Sequence, residues 1–281
     1  MKKSTDMILD GSSVALPPTQ AHLPYDDGIP LETRRHKAQL DLLIDVLQVW
    51  LGERQDGYVG GNMSVYFSLA QLRNQDFRGP DLFVVLGVPK GERNSWVVWE
   101  EGKAPDVVIE LLSESTTLLD KNEKKLIYQN QLRVSEYFWF DPFNSDDWAG
   151  FFLQHGQYQP VVVNTQNQLI SQVLGLGLVR WQGSYKGMNA TWLRWTTLQG
   201  KLLPTFEEIA EQERQRAKQE RQRAEQERQR AKQERQRAEQ AESKLHQVVR
   251  NLLKENMSAE EVARLTGLSE DRVSQLGKEM L

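Results

Sequence analysis

The sequence predicts an α/β (α+β) domain built on a mixed sheet flanked by helices, followed by a long charged helix and a small helical C-terminal module. Three observations predict it. Two apolar runs, Leu82 to Leu86 and Val107 to Leu112, have the length and composition of buried strands. A helical pattern precedes the first run, and a second one links Val107 to Leu112 with the strand-like stretch Tyr137 to Phe140, an order that calls for a mixed sheet. Beyond Pro204 the composition changes to a charged seven-residue repeat. The boundaries read from these changes are 1–30, 31–204, 205–245 and 246–281.

The first segment, rich in Pro, Gly, Asp and Ser, reads as an extended arm, because Pro17, Pro18, Pro24 and Pro30 forbid a long helix. From 31 to 51, Leu40, Leu43, Ile44, Leu47 and Trp50 recur at the spacing of an amphipathic helix, and Gly52 ends it. Glu32 and His36 are four apart on one face near its start, which is either a solvated first turn or a border of the functional site. Tyr58 to Leu69 reads as strand, and Trp96 to Glu101 as a short further run. Ser113 to Thr117 is a polar corner, after which Asp120 caps a helix reaching Leu132. Asp141 and Pro142 stop the strand that follows.

Between Trp148 and Trp195 aromatic and polar residues alternate, with turn signals between them, and the expectation is hairpins that extend the sheet. Val161 to Val163 and Leu176 to Val179 are expected in the core, Trp181, Trp192 and Trp195 in packing, and His155 in a turn. The repeat places Ala210, Ala217, Ala224, Ala231 and Ala238 in one heptad position, continued by Leu245 and Leu252. The residues three further on are Glu213, Glu220, Glu227 and Glu234, so the seam of a coiled coil is weak, and both a solitary stalk and a self-association helix fit. In the last segment Ser258 and Ser269 read as helix caps around TGLS, with Val262, Ala263, Leu265, Leu268, Val273 and Leu276 closing a miniature core. The segment resembles a helix-turn-helix, but Glu270 and Asp271 charge its second helix poorly for reading DNA, so a structural or docking module fits at least as well as a DNA reader.

Composition removes whole classes of function. The 281 residues contain no cysteine, which excludes disulfides, zinc–thiolate sites and thiol nucleophiles. A formal charge of −4 excludes coating of nucleic acid by bulk attraction, so any such binding needs a local basic groove. No apolar run is long enough to span a bilayer and the N-terminus lacks the apolar core of a signal peptide, so the expectation is a cytoplasmic protein with no membrane partner.

Each of the two buried runs follows a Pro-Asp pair, which puts Asp81 and Asp106 at the mouths of the strands, and Glu110 lies within the second run. An unpaired acid there costs several kcal/mol, so a metal ion or a lysine must compensate it. The stretches RGPDLFVVLG, APDVVIELLSEST, DKNEKKLIY and EYFWFDP resemble the Uma family of restriction endonucleases, abundant in cyanobacteria, within the PD-(D/E)XK nuclease superfamily. The similarity covers roughly residues 31 to 195. It implies a restriction endonuclease-like core and a metal-dependent DNA endonuclease using Mg2+ or Mn2+, with DNA as partner and a homodimer as one assembly. Asp81 and Glu110 would take the places of the motif acids and Leu111 would add its backbone carbonyl to the metal. Glu32, His36 and Asp106 would form a second tier. The superfamily lysine is expected two residues after the acid, where this chain has Leu112, and Lys124 in the following helix takes its place in preference to Lys125. A catalytically inactive nuclease fold serving as a nucleic-acid-binding or scaffolding module is the alternative.

Overall fold

A computed structural model of the chain describes residues 7–9, 12–14, 17–23, 33–54, 56–68, 79–114 and 116–278. Two compact units divide it, Met1–Ile209 and Ala210–Leu281. In the first, β1 (Met7–Leu9) and β2 (Ser12–Val14) form a small antiparallel ribbon, and a 3-10 turn follows at Gln20–His22. Helix α1 (Arg34–Gly52) starts at Thr33, whose hydroxyl accepts from the His36 amide. Its apolar stripe, including Leu40, Leu43 and Leu47, is buried.

Strands β3 (Tyr58–Gly61), β5 (Leu82–Val85), β7 (Val107–Leu111), β8 (Glu136–Phe140), β9 (Trp148–Gln154) and β10 (Gln157–Pro160) make a six-stranded sheet in the order β10-β9-β8-β7-β5-β3. Only β7 and β8 are parallel in it, as the helix between them requires. The two-residue strands β4 (Val65–Tyr66) and β6 (Trp96–Val97) pair beside it. The run from Trp96 is a strand only through Val97. Val98–Glu101 turns as helix α2, closed by Gly102 at a φ of 72° that glycine adopts without strain.

The remaining hairpins do not extend this sheet. β11 (Gln168–Ser171), β12 (Leu176–Tyr185) and β13 (Met188–Thr196) form a separate three-stranded antiparallel sheet. Its Leu178, Trp192 and Trp195 pack with α1 and with Leu82, Val84, Ile109 and Phe138 of the large sheet. Glu136 ties the two sheets together, its buried carboxylate accepting from the Ser171 hydroxyl and from the amides of Gln172 and Val173. Gln39 of α1 exchanges two hydrogen bonds with the backbone of Leu193. Val161 packs at the margin of this core, whereas Val162 is 82% exposed and lies outside it, contrary to expectation.

On its other face the large sheet carries Phe83, Val85, Val108 and Tyr137 against Tyr128 and Leu132. Both belong to an unusually wound helix. Leu119–Lys124 is π-helical, Lys125–Ile127 (α3) is α-helical, and Tyr128–Leu132 is π-helical again. Each fully buried large apolar side chain in these two layers contributes about 1.5–3 kcal/mol, which holds sheet and helix in a fixed register.

Helix α4 (Phe206–Lys254), most of which belongs to the second unit, is exposed from Glu211 to Lys244, and Val249 is its buried residue. Val249 packs with Val262 and Ala263 of α5 (Ala259–Thr266) and with Val273 and Leu276 of α6 (Glu270–Lys278). Ser258 and Glu261 form a reciprocal capping box, and Gly267 ends α5 in the left-handed conformation. Leu265, expected in this core, is exposed. Glu270 and Asp271 lie on the surface of α6.

Candidate active site

Two strands and one helix bring the candidate residues together. β5 and β7 run antiparallel with Leu82 opposite Ile109, so Asp81 and Glu110 are the next opposed pair along the ladder. Because strand side chains alternate, Leu82, Ile109 and Leu111 face the α1 layer while Asp81 and Glu110 share the face covered by the π-wound helix. A carboxylate oxygen of Asp81 accepts from the Leu111 amide at 2.7 Å, and the Asp81 amide points to Glu110 Oε2 at 3.5 Å.

The helix supplies the rest. Its entry is organised by Ser113, whose hydroxyl accepts from the Thr116 amide and whose carbonyl accepts from that of Thr117. Asp120 is therefore not the cap expected of it. It lies inside the helix, 1% exposed, with its backbone carbonyl bound by the Tyr137 hydroxyl at 2.9 Å. Asp120, Lys124 and Tyr128 follow one another at intervals of four and point to the sheet together. The Lys124 ammonium lies 2.9 Å from Asp120 Oδ1 and 3.1 Å from Glu110 Oε2. The Tyr128 hydroxyl donates to Glu110 Oε1 at 2.6 Å. Asp120 is the acid of this candidate cluster that the sequence did not single out, and its interval of four from Lys124 is the signal that could have found it.

Glu110 is 0% exposed, and its carboxyl is pushed well above the ordinary carboxylate range. Burial is the main cause; Lys124 opposes it, and the carboxylates of Asp81 and Asp120 reinforce it. Burial likewise raises Asp81 against the pull of Lys124 and of the Leu111 amide. Burial alone would lower the Lys124 ammonium, but Glu110, Asp120 and Asp81 outweigh it and hold Lys124 above its usual value. With all three acids ionised, the cluster has one more cationic charge to satisfy than Lys124 supplies, and a second beyond that. Protons or a divalent cation can do so.

The donor set suits a small hard cation. Carboxylate oxygens are the ligands that Mg2+ and Mn2+ prefer, and Mg2+ is commonly held by one or two carboxylates with water and substrate completing its shell. Among the described residues no group of three His, Asp or Glu side chains stands ready to enclose an ion. Lys124 occupies the space between the acids instead.

The other candidates fall elsewhere. Lys125 points away, its ammonium 3.4 Å from the centre of the Phe151 ring. Asp106 stands at the opposite end of β7, about 13 Å along the strand from Glu110 at 3.3 Å per residue. There it accepts from the Leu86 amide at 2.7 Å and pairs with Lys103 at 2.8 Å, a lock on the β5–β7 edge that separates it from the acids. His36 is buried, with Nε2 2.9 Å from the Leu112 carbonyl, so it braces the end of β7 without touching the carboxylates. Glu32 lies outside the described residues.

A family model described as "Uma2: Putative restriction endonuclease" matches residues 13–182, more than half of the chain. Among solved structures, the chain is similar to a putative nuclease belonging to DUF820 from Anabaena variabilis ATCC 29413. That similarity has a TM-score of 0.38 and 15% sequence identity, over 59% of this chain and 80% of that one. No curated protein matches.

Proposed function

This chain belongs to the Uma2 family of putative restriction endonucleases, and from that premise we propose that it is a DNA endonuclease hydrolysing phosphodiester bonds with the help of Mg2+ or Mn2+. The observation that carries the proposal is the convergence of Lys124 with Glu110 and Asp120, beside Asp81 on the adjoining strand. Asp81 and Glu110, with the Leu111 carbonyl, would hold the ion. When bound, it would polarise a phosphoryl oxygen and acidify an attacking water.

The protein's own groups do the rest. Tyr128 fixes the orientation of Glu110 through its short hydrogen bond. Asp120 and Glu110 hold Lys124 in place and keep it protonated, so its ammonium can orient the water and offset negative charge building on the phosphate. The low exposure of Glu110 and Asp120 removes competing water and strengthens each of these attractions.

The alternative is an inactive fold that binds nucleic acid, and one observation favours it: Lys124 already neutralises part of the acid cluster, as a purely structural ion pair would. Incubating the purified full-length chain with supercoiled plasmid in Mg2+ or Mn2+ separates the two. The endonuclease reading expects nicked and linear DNA and none in EDTA. Intact plasmid under every divalent ion, with DNA binding retained, favours the inactive fold.

A further inference from the structure

We propose that Arg35 is a substrate-binding residue that grips a backbone phosphate of the nucleic acid, at the rim of the site and apart from the carboxylates. The proposal rests on the nucleic-acid reading above and adds a contact to it. Arg34, Arg35, His36 and Lys37 open α1, with no acid in that turn. Cations at a helix start oppose the macrodipole, so propensity does not explain them.

Three of the four have their own contacts. Arg34 donates to the Lys186 carbonyl, His36 lies against the Leu112 carbonyl, and Lys37 pairs with Asp41. Arg35 has no acid partner among the described residues. Its Nε is buried without a hydrogen-bond partner, and its guanidinium carbon lies 5.1 Å from the centre of the Phe143 ring. Phe143 is itself 55% exposed. Stacking on an aromatic face fixes the plane of a guanidinium while leaving its outer nitrogens available, and that planar fork matches a phosphate.

Position gives the contact its meaning. His36 binds the Leu112 carbonyl while the Leu112 amide donates to Phe140, so the first turn of α1, the end of β7 and the loop carrying Phe143 meet at one edge of the sheet. Glu110 is the last but one residue of β7 at that same edge. Glu110 faces the other side of the sheet from α1, so on this proposal a strand that reaches Glu110 crosses this end of β7 and meets Arg35 with a neighbouring phosphate.

The test is binding of two unrelated DNA duplexes, in EDTA across a salt series, to the full-length wild type, Arg35→Ala and Arg35→Lys. Loss of one phosphate contact should lower the slope of log affinity against log salt by about 0.9, and affinity about eightfold at 0.1 M salt, equally for both sequences. Arg35→Lys should recover most of the slope. Unchanged affinity and slope in Arg35→Ala overturn the proposal, and so does weaker binding at an unchanged slope, which marks a packing role on Phe143. If Arg35→Ala melts early, Arg35→Gln, which keeps the stem over Phe143, replaces it under the same criteria. A wild type that binds DNA but cuts nothing removes the endonuclease reading and leaves the Arg35 contact standing. A wild type that binds no DNA overturns both.

Discussion

Replacing Lys124 by methionine keeps the hydrocarbon stem and removes the ammonium that lies 3.1 Å from Glu110 and 2.9 Å from Asp120. Both acids remain buried, and stripping a buried carboxylate of its cation costs about 3–5 kcal/mol if the charge stays. Glu110 has an escape. Burial already holds its carboxyl well above 4.5, and losing Lys124 removes the strongest opposing influence, so the variant folds with Glu110 protonated. A carboxyl raised by folding lends stability fully below its unfolded value and loses that contribution as pH climbs through its folded value. Lys124→Met should therefore lie nearest the wild type near pH 5 and fall further behind, by about 3–5 kcal/mol, near pH 8. Urea unfolding followed by tryptophan fluorescence in EDTA, from pH 4.5 to 8.5, measures the difference. A gap independent of pH, or a variant more stable than the wild type at pH 8, refutes the reasoning. Cleavage should be lost throughout, while Lys125→Ala, with its ammonium over Phe151, should still cut.

Glu110→Gln should abolish plasmid cleavage and weaken Mn2+ binding by calorimetry while the fold persists; cleavage at the wild-type rate would remove Glu110 from the mechanism. Asp106→Asn should lower stability by about 1–3 kcal/mol, through the Leu86 amide and Lys103, with specific activity unchanged in folded protein. A chain ending at Ile209 should melt within a degree or so of the same unit in the full-length chain. One ending at Phe206 strands the buried Arg194, whose guanidinium donates to both carboxylate oxygens of Glu208, and should lose about 2 kcal/mol, or roughly 4–8 °C by calorimetry. Equal melting of the two truncations would show that this pair contributes nothing.

The large sheet was legible because its strands announce themselves: Leu82 to Val85 is an unbroken apolar run, Val107 to Leu111 is apolar but for Glu110, and turn residues stand on either side of each. Asp81 and Asp106 carried the same Pro-Asp signal and ended at opposite edges. Antiparallel pairing decides that, since the residue before one strand lies beside the far end of the other. Asp120 was obscured for a different reason. Aspartate and serine both cap helices, and whether Ser113 or Asp120 does so depends on the sheet beneath the helix, not on neighbouring residues. The separate three-stranded sheet was equally hidden. Alternation marks the strands of β11 to β13, but their place is fixed by contacts such as Ser171 with Glu136, distant in sequence.

The winding of the helix over the site also has a consequence for chain length. A turn closed by i→i+5 bonds takes up more residues than an α turn, so groups four apart run close to a straight line down it, whereas an α-helix carries them about 40° around the axis at each step. Asp120 and Lys124 are graduations on such a ruler, and Tyr128 follows across the short α-helical stretch Lys125–Ile127. Deleting the exposed Asn122 would leave every one of the three in the chain, yet would swing Asp120 by about a quarter of a turn relative to the other two. The number of residues in this segment is thus as much a part of the site as their identity.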